Sequence, residues 1–399
     1  MRTRLGFLFL ALASTVQGQE KISSTPLPAA SPTVTSALQP APESRMSERA
    51  WIDTDYFVGF VRRPSVPPLI LTIPAATANQ STTNGPILFP RDGRRIDYNA
   101  FNGLRARVGS WFDDSQTQGL EFSGFVLEQR GQDATFFNSA PAANFLTRNF
   151  IDSNSNRNIF LFGDNTNGPV VIRGLAGIKP IYSTEVNYLT QGYSFLADRT
   201  DYLFGFRYYD QRENLRVDVR QDFNGGGLLT FTDRFATSNQ FYGANFGIRS
   251  HFYPTNRIGA EATFKLAAGD SYQRAKIDGS TLINIPGVPF VNTADGLYAR
   301  PSNIGSHDRH FFTVIPEVNL RLNYALSSRA KIFIGYDCVY VSSLVRPGQV
   351  IDPVVFSGNL QVLAPDGRVD GPNRNKPFFS FRSTDQVINA VSIGLSLSF

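Results

Sequence analysis

At 399 residues the chain could hold two ordinary domains or one large all-β unit. Its hydrophobic fraction of 42%, mean hydropathy of −0.17 and lack of any run near the roughly 18 to 20 apolar residues of a membrane helix exclude a helical membrane protein. The net charge of +5 is dispersed among acids, with no basic block to mark a nucleic-acid partner.

The chain opens with Arg2 and Arg4, an apolar run from Leu5 to Ala13, and small or polar residues through Gly18. This pattern predicts a secretory signal peptide over residues 1–18, cleaved after Gly18 and too short to span a bilayer. Absence of a following cysteine argues against a lipidated N-terminus, and the single thiol, Cys338, cannot close an internal disulfide. Residues 19–49 are rich in Pro, Ser, Thr and Ala, which predicts a disordered periplasmic extension. A third segment, residues 50–399, reads as one folded unit.

From Trp51 onward, strand-like segments recur between clusters of Gly, Pro, Asn and Asp. Ile52, Thr54, Tyr56, Val58 and Phe60 alternate with Asp53, Asp55, Phe57 and Gly59. The same period of two runs through Leu104 to Gly109, Tyr182 to Tyr188, Tyr202 to Tyr209, Leu215 to Asp222, Tyr242 to Phe252, Ile258 to Leu266, Phe312 to Tyr324 and Lys331 to Tyr340. Gly119 to Glu128 is a less regular candidate. The last strand carries Val387, Val391, Ile393, Leu395, Leu397 and Phe399 on one side and Ala390, Ser392, Gly394, Ser396 and Ser398 on the other.

Two-faced strands of this kind fit a sheet between different solvents, lipid outside and a wet lumen inside. The polar faces mix Gly, Asn and opposite charges such as Glu317 with Arg321 and Glu261 with Lys265, which suits a crowded hydrated interior better than a solvent-facing surface. Thirty-four Phe and fifteen Tyr are enough for aromatic belts at two interfaces. The predicted fold is therefore all-β: a single closed antiparallel transmembrane β-barrel of roughly 12 strands, with a range of about 10 to 14. Stretches near 62–101, 130–178, 280–309 and 346–385 are too long for hairpin turns and are expected to form external loops.

Charged positions on the polar faces are the candidate lumen lining: Arg105, Arg107, Glu121, Glu185, Arg207, Arg249, Glu261, Lys265, Glu317, Arg321, Lys331 and Asp337. They fit an open pore and a sealed salt-bridge network equally well. His307-Asp308-Arg309-His310 holds two histidines and an acid, yet alternation sends them to different faces, so no metal site is expected there. Adjacent Ser306, His307 and Asp308 cannot form one catalytic relay, and no catalytic or cofactor-binding residue is expected elsewhere. At Val345-Arg346-Pro347-Gly348 the Pro and Gly imply a corner, with Arg346 available to Asp352 or to an external phosphate.

The chain resembles the putative beta-barrel porin family 7, bacterial envelope proteins defined by sequence, from Trp51 to Phe399. The resemblance rests on Gly109-Ser110-Trp111-Phe112, Gly205-Phe206-Arg207-Tyr208, Val314-Ile315-Pro316-Glu317-Val318 and Val345-Arg346-Pro347-Gly348 with Ile351-Asp352, in that order. It implies an exported bacterial outer-membrane barrel in contact with outer-membrane lipid and the barrel assembly machinery, for which Phe399 is the expected signal. It further implies a non-enzymatic, porin-like passive channel for small hydrophilic solutes, without cofactor. The alternative is a sealed barrel with an envelope structural or surface-interaction role.

Overall fold

The computed structural model describes residues 49–74, 85–91, 94–138, 144–153, 158–161, 168–356 and 375–399. The expected signal peptide and all but Arg49 of the extension lie outside them. In chain order, β1 (Ala50–Val61) is followed by two short strands, β2 (Ile70–Pro74) and β3 (Ile87–Phe89), and by the hairpin β4 (Ala100–Trp111) and β5 (Gln118–Leu127). Next come β6 (Arg130–Asn138), β7 (Asn144–Asp152), β8 (Asn158–Leu161), β9 (Val170–Ile178) and β10 (Ile181–Gln191). Three long strands follow, β11 (Arg199–Phe223), β12 (Gly227–Phe252) and β13 (Ile258–Asn284). The remainder comprises β14 (Val291–Thr293), β15 (Gly305–Ala325), β16 (Ala330–Leu344), β17 (Val354–Val355) and β18 (Thr384–Ser398).

Ten of these strands close a ring in the order β1, β4, β5, β10, β11, β12, β13, β15, β16, β18, with every neighbouring pair antiparallel. The ring stands at the lower end of the expected range for a simple reason. Tyr202–Tyr209 and Leu215–Asp222, which read as separate segments, are two halves of the 25-residue β11. Its first half pairs with β10 and its second with β9, beyond the ring proper. The stretch 130–178, expected as loop, likewise carries sheet, since β6 and β9 extend β11 outward.

Alternation sorts the side chains as the sequence implies. Outward positions are greasy and exposed, Ile393 at 62% and Phe264 at 50%, whereas inward Arg207 is 0% exposed. Along β13 the outward row is Ile258, Ala260, Ala262, Phe264, Leu266 and Ala268, then Asp270. Eleven positions of a tilted strand climb about 25 Å, the height of an apolar membrane band. The band ends in the row Tyr208, Tyr242 and Phe312, and Asp210, Gln240 and His310 stand one outward step above.

At one end the connections are short, as at Phe112–Thr117, Tyr253–Arg257 and Leu326–Arg329, which marks the periplasmic side. The first of these is tied by Asp113, whose carboxylate accepts the Thr117 hydroxyl at 2.7 Å and the Thr117 and Gln118 amides; the hydroxyl above all holds that carboxyl below its usual range. Long connections lie at the other end, except that the extended β11 and β12 are joined there by the short turn Asn224–Gly226.

Inward aromatics lie flat over glycines of the next strand. Phe57 faces Gly103, Trp51 faces Gly109 and Phe333 faces Gly394 in direct register. A Cβ on Gly103 would meet the Phe57 ring at 2.3 Å. These glycines leave room for large rings in a narrow barrel.

Candidate functional site: the filled lumen

Moving from the periplasmic end outward, the interior has three tiers. The middle tier holds eleven of the twelve candidate lumen residues, every one facing inward, and binds them into an ionic lattice of two adjoining clusters. Arg207 on β11 reaches Glu317 on β15 at 2.6 Å and Glu185 on β10 at 3.3 Å. Lys265 on β13 sits 3.0 Å from each of the same two carboxylates. Arg249 grips Glu121 through two bonds of 2.8 Å. Arg105 donates to Asp337 and Asp55, and Arg321 lies 3.0 Å from Asp53.

Arg107 decides the width of any bore. It pairs with Asp53 on β1 and, at 2.9 Å, with Glu261 on β13, five places away round a ring of ten. Strands on opposite sides of the barrel are thus joined by a direct ion pair through its axis. Six cations, Arg105, Arg107, Arg207, Arg249, Lys265 and Arg321, meet seven carboxylates, Asp53, Asp55, Glu121, Glu185, Glu261, Glu317 and Asp337. Charge is nearly balanced, and Asn187, Asn245 and Asn319 fill the gaps with side-chain hydrogen bonds. Such a lattice is held together by pairing; dehydrating so many ions makes each one costly to orphan.

One inward step above, the character changes along much of the wall, although Glu185 is followed by Ser183 and Glu261 by Thr263. Arg207 gives way to Tyr209, Lys265 to Ala267, Glu317 to Ile315, Asp337 to Val339, Ala390 to Ile388 and Asp55 to Phe57, all buried. This apolar tier continues into the outer connections, where Val66, Leu69, Ile70, Phe89, Phe150, Val350 and Ile351 join the same core. Arg346 is not paired with Asp352 or turned outward. Its Nε lies 2.7 Å from Glu213, its Nη1 donates to the Arg62 carbonyl, and it is buried, because Asn239 clamps the Val345 backbone through both its amide nitrogen and oxygen. Asp352 pairs instead with Lys376.

The lowest tier is a well at the periplasmic end, a cavity of about 300 Å³. Lys331, the twelfth candidate, stands in its wall. The histidine run divides as alternation requires: His307 stacks on Phe379 at 3.7 Å and His310 points outward to Asp270 at 2.6 Å. No cluster of three or more potential metal ligands occurs among the described residues. Phe399 is exposed at the base of the barrel, its carbonyl accepting the amides of Arg49 and Ala50. Sequence reading passed over Asp53 and Asp55 as lumen groups, although they share the inward face of β1 with Phe57. The alternation that found Arg105 and Arg107 would have found them.

The sequence profile of the Putative beta barrel porin-7 family matches residues 51–399, the whole of the barrel. The chain belongs to that family. No curated protein matches this porin-7 chain significantly. Among solved structures it is similar to the outer membrane protease OmpT from Escherichia coli, at 10% identity, 88% of this chain and 97% of that one, with a TM-score of 0.38. It is also similar to a Pseudomonas aeruginosa FadL homologue (8% identity, 88% and 90% coverage, TM-score 0.22) and to the Ralstonia pickettii toluene transporter TbuX (6%, 89% and 90%, 0.21). At such scores these likenesses carry no argument about what the chain does. The porin-7 assignment makes it an outer-membrane barrel of porin-like type.

Proposed function

We propose that this porin-7 barrel is a sealed, non-enzymatic envelope protein whose long outer connections supply a contact surface for other envelope components. The reading rests on one observation above the others: the Arg107–Glu261 pair at 2.9 Å joins opposite walls through the axis. The apolar tier above it adds a second seal. A passive channel for small hydrophilic solutes would need both layers displaced, at the expense of unpairing buried ions. The non-enzymatic part is supported by the histidines, since His251 lies against Asp201, His307 against Phe379 and His310 against Asp270, and among the described residues none is hydrogen-bonded to a serine hydroxyl. Surrounding outer-membrane lipid is the one partner the outward rows require.

Liposome swelling tests the proposal. Vesicles carrying the folded protein should swell in isotonic arabinose no faster than protein-free vesicles. Swelling that rises with protein content and falls with solute size would overturn it.

A further inference from the structure

The periplasmic well is left unused by a sealed scaffold, and its chemistry is specific. Six cations line it: Arg107, Arg199, Arg249, Arg257, Arg321 and Lys331. Three carboxylates face them, Asp53, Asp201 and Glu261. Asp53 and Glu261 are taken by Arg107 and Arg321, and Asp201 by Arg199 at 2.9 Å. Glu121, just behind the wall, takes Arg249. Two positive charges are left over. They belong to Arg257 and Lys331, which have no ion-pair partner among the described residues and stand at the rim and in the wall. Deeper in, Arg249 is 5% exposed and its Nε has no hydrogen-bond acceptor.

The walls are also shaped for more than water. Trp51 and Trp111 lie 5.1 Å apart, and Arg199 is held over the Trp111 ring at 4.5 Å. Arg321 is held in the same way over Phe333 at 4.5 Å. Cations stacked on rings keep their outward N–H groups aimed and partly dehydrated, a good arrangement for anionic oxygens. A volume near 300 Å³ holds about ten waters, or a solute of that size.

We propose that the periplasmic well is a binding site for a small solute bearing two or more anionic oxygens, carboxylate or phosphate, held chiefly by Lys331 and Arg257 with Arg199 and Arg249 behind them. The salt-bridge lattice is the floor of the site. The proposal does not depend on whether the barrel conducts, because it needs only the periplasmic opening.

The chain's only two tryptophans are Trp51 and Trp111, so tryptophan fluorescence, excited at wavelengths where the fifteen tyrosines do not absorb, reports on this well. The folded full-length chain in neutral detergent is titrated with citrate and with pyrophosphate, with sodium chloride at matched ionic strength and spermidine as controls. A saturable change with citrate alone assigns a carboxylate solute, with pyrophosphate alone a phosphate solute, and with both the shared chemistry. In each case Lys331→Gln and Arg257→Gln should each weaken binding about tenfold, the usual scale for losing one charge-assisted bond. Both side chains stand at the wall and rim without a carboxylate partner, so each variant should keep the fold, checked by retained heat-modifiable migration on gels. No saturable change with either anion, the same change with chloride or spermidine, or unaltered affinity in both variants would overturn the proposal.

Discussion

Arg207→Ala should cost the folded barrel about 3–5 kcal/mol, the scale for breaking a buried ion pair by removing one partner. The reason lies in what stays behind. Glu185 and Glu317 both use Arg207, and without it two buried carboxylates share Lys265 as their remaining cation. Arg207 is itself 0% exposed, so little water can replace it. The effect should be global, since through this side chain β11 links to β15, three places away round the ring. Urea unfolding in detergent, followed by loss of the heat-modifiable form, should show a lower midpoint. Arg207→Lys should recover part of the loss, because it restores charge but not the guanidinium's reach to two acids. An alanine variant as stable as the parent would mean that the lattice is not what holds the interior.

Asp233→Ala should produce a loss of similar size, about 3–5 kcal/mol, confined to the outer tier. Asp233 on β12 is fully buried where the strand rises above the membrane band. One of its oxygens faces Arg148 at 2.6 Å, and the other accepts the amides of Tyr298 and Ala299 at 2.9 and 2.8 Å. Arg148 in turn lies over the Tyr298 ring at 5.0 Å. Removing the carboxylate strands a buried guanidinium and two backbone donors together. Hydrogen exchange should speed up around β7 and residues 294–304 while the periplasmic ends of β1 and β18 keep their protection. Alkali should loosen the same region in the parent protein. Burial pushes the Tyr298 hydroxyl up to about 12 from 10.0, so its contribution is intact below pH 10 and is lost as pH rises through 12. Uniform loss of protection across the barrel would contradict a separate outer latch.

The fold was legible because the membrane imposes a period of two on every strand, and residues such as Phe264 and Ile393 carry that period without interruption. Ring size was less legible. Nothing in Tyr202 to Asp222 marks where β11 leaves the membrane, because its inward face passes from Arg207 to Leu215 without a turn residue between. Lumen polarity could be read position by position, but pairing could not. Glu317 and Arg321 sit on the same face of β15 and look like partners, yet Arg321 goes to Asp53 and Glu317 to Arg207 and Lys265. Closure of the barrel sets those partners, and closure depends on the register of all ten strands at once. Arg346 shows the same limit. Asp352 is near in sequence, but Asn239 on β12 positions Val345 so that Arg346 meets Glu213.

A lumen filled by ion pairs that cross its axis is the claim on which the rest depends, and single-channel recording addresses it most directly. Folded protein inserted into planar bilayers, its insertion verified by protease protection, should give no discrete conductance steps in 1 M KCl. Reproducible steps from the unmodified chain would contradict the account, because ions would then be passing where Arg107 and Glu261 meet.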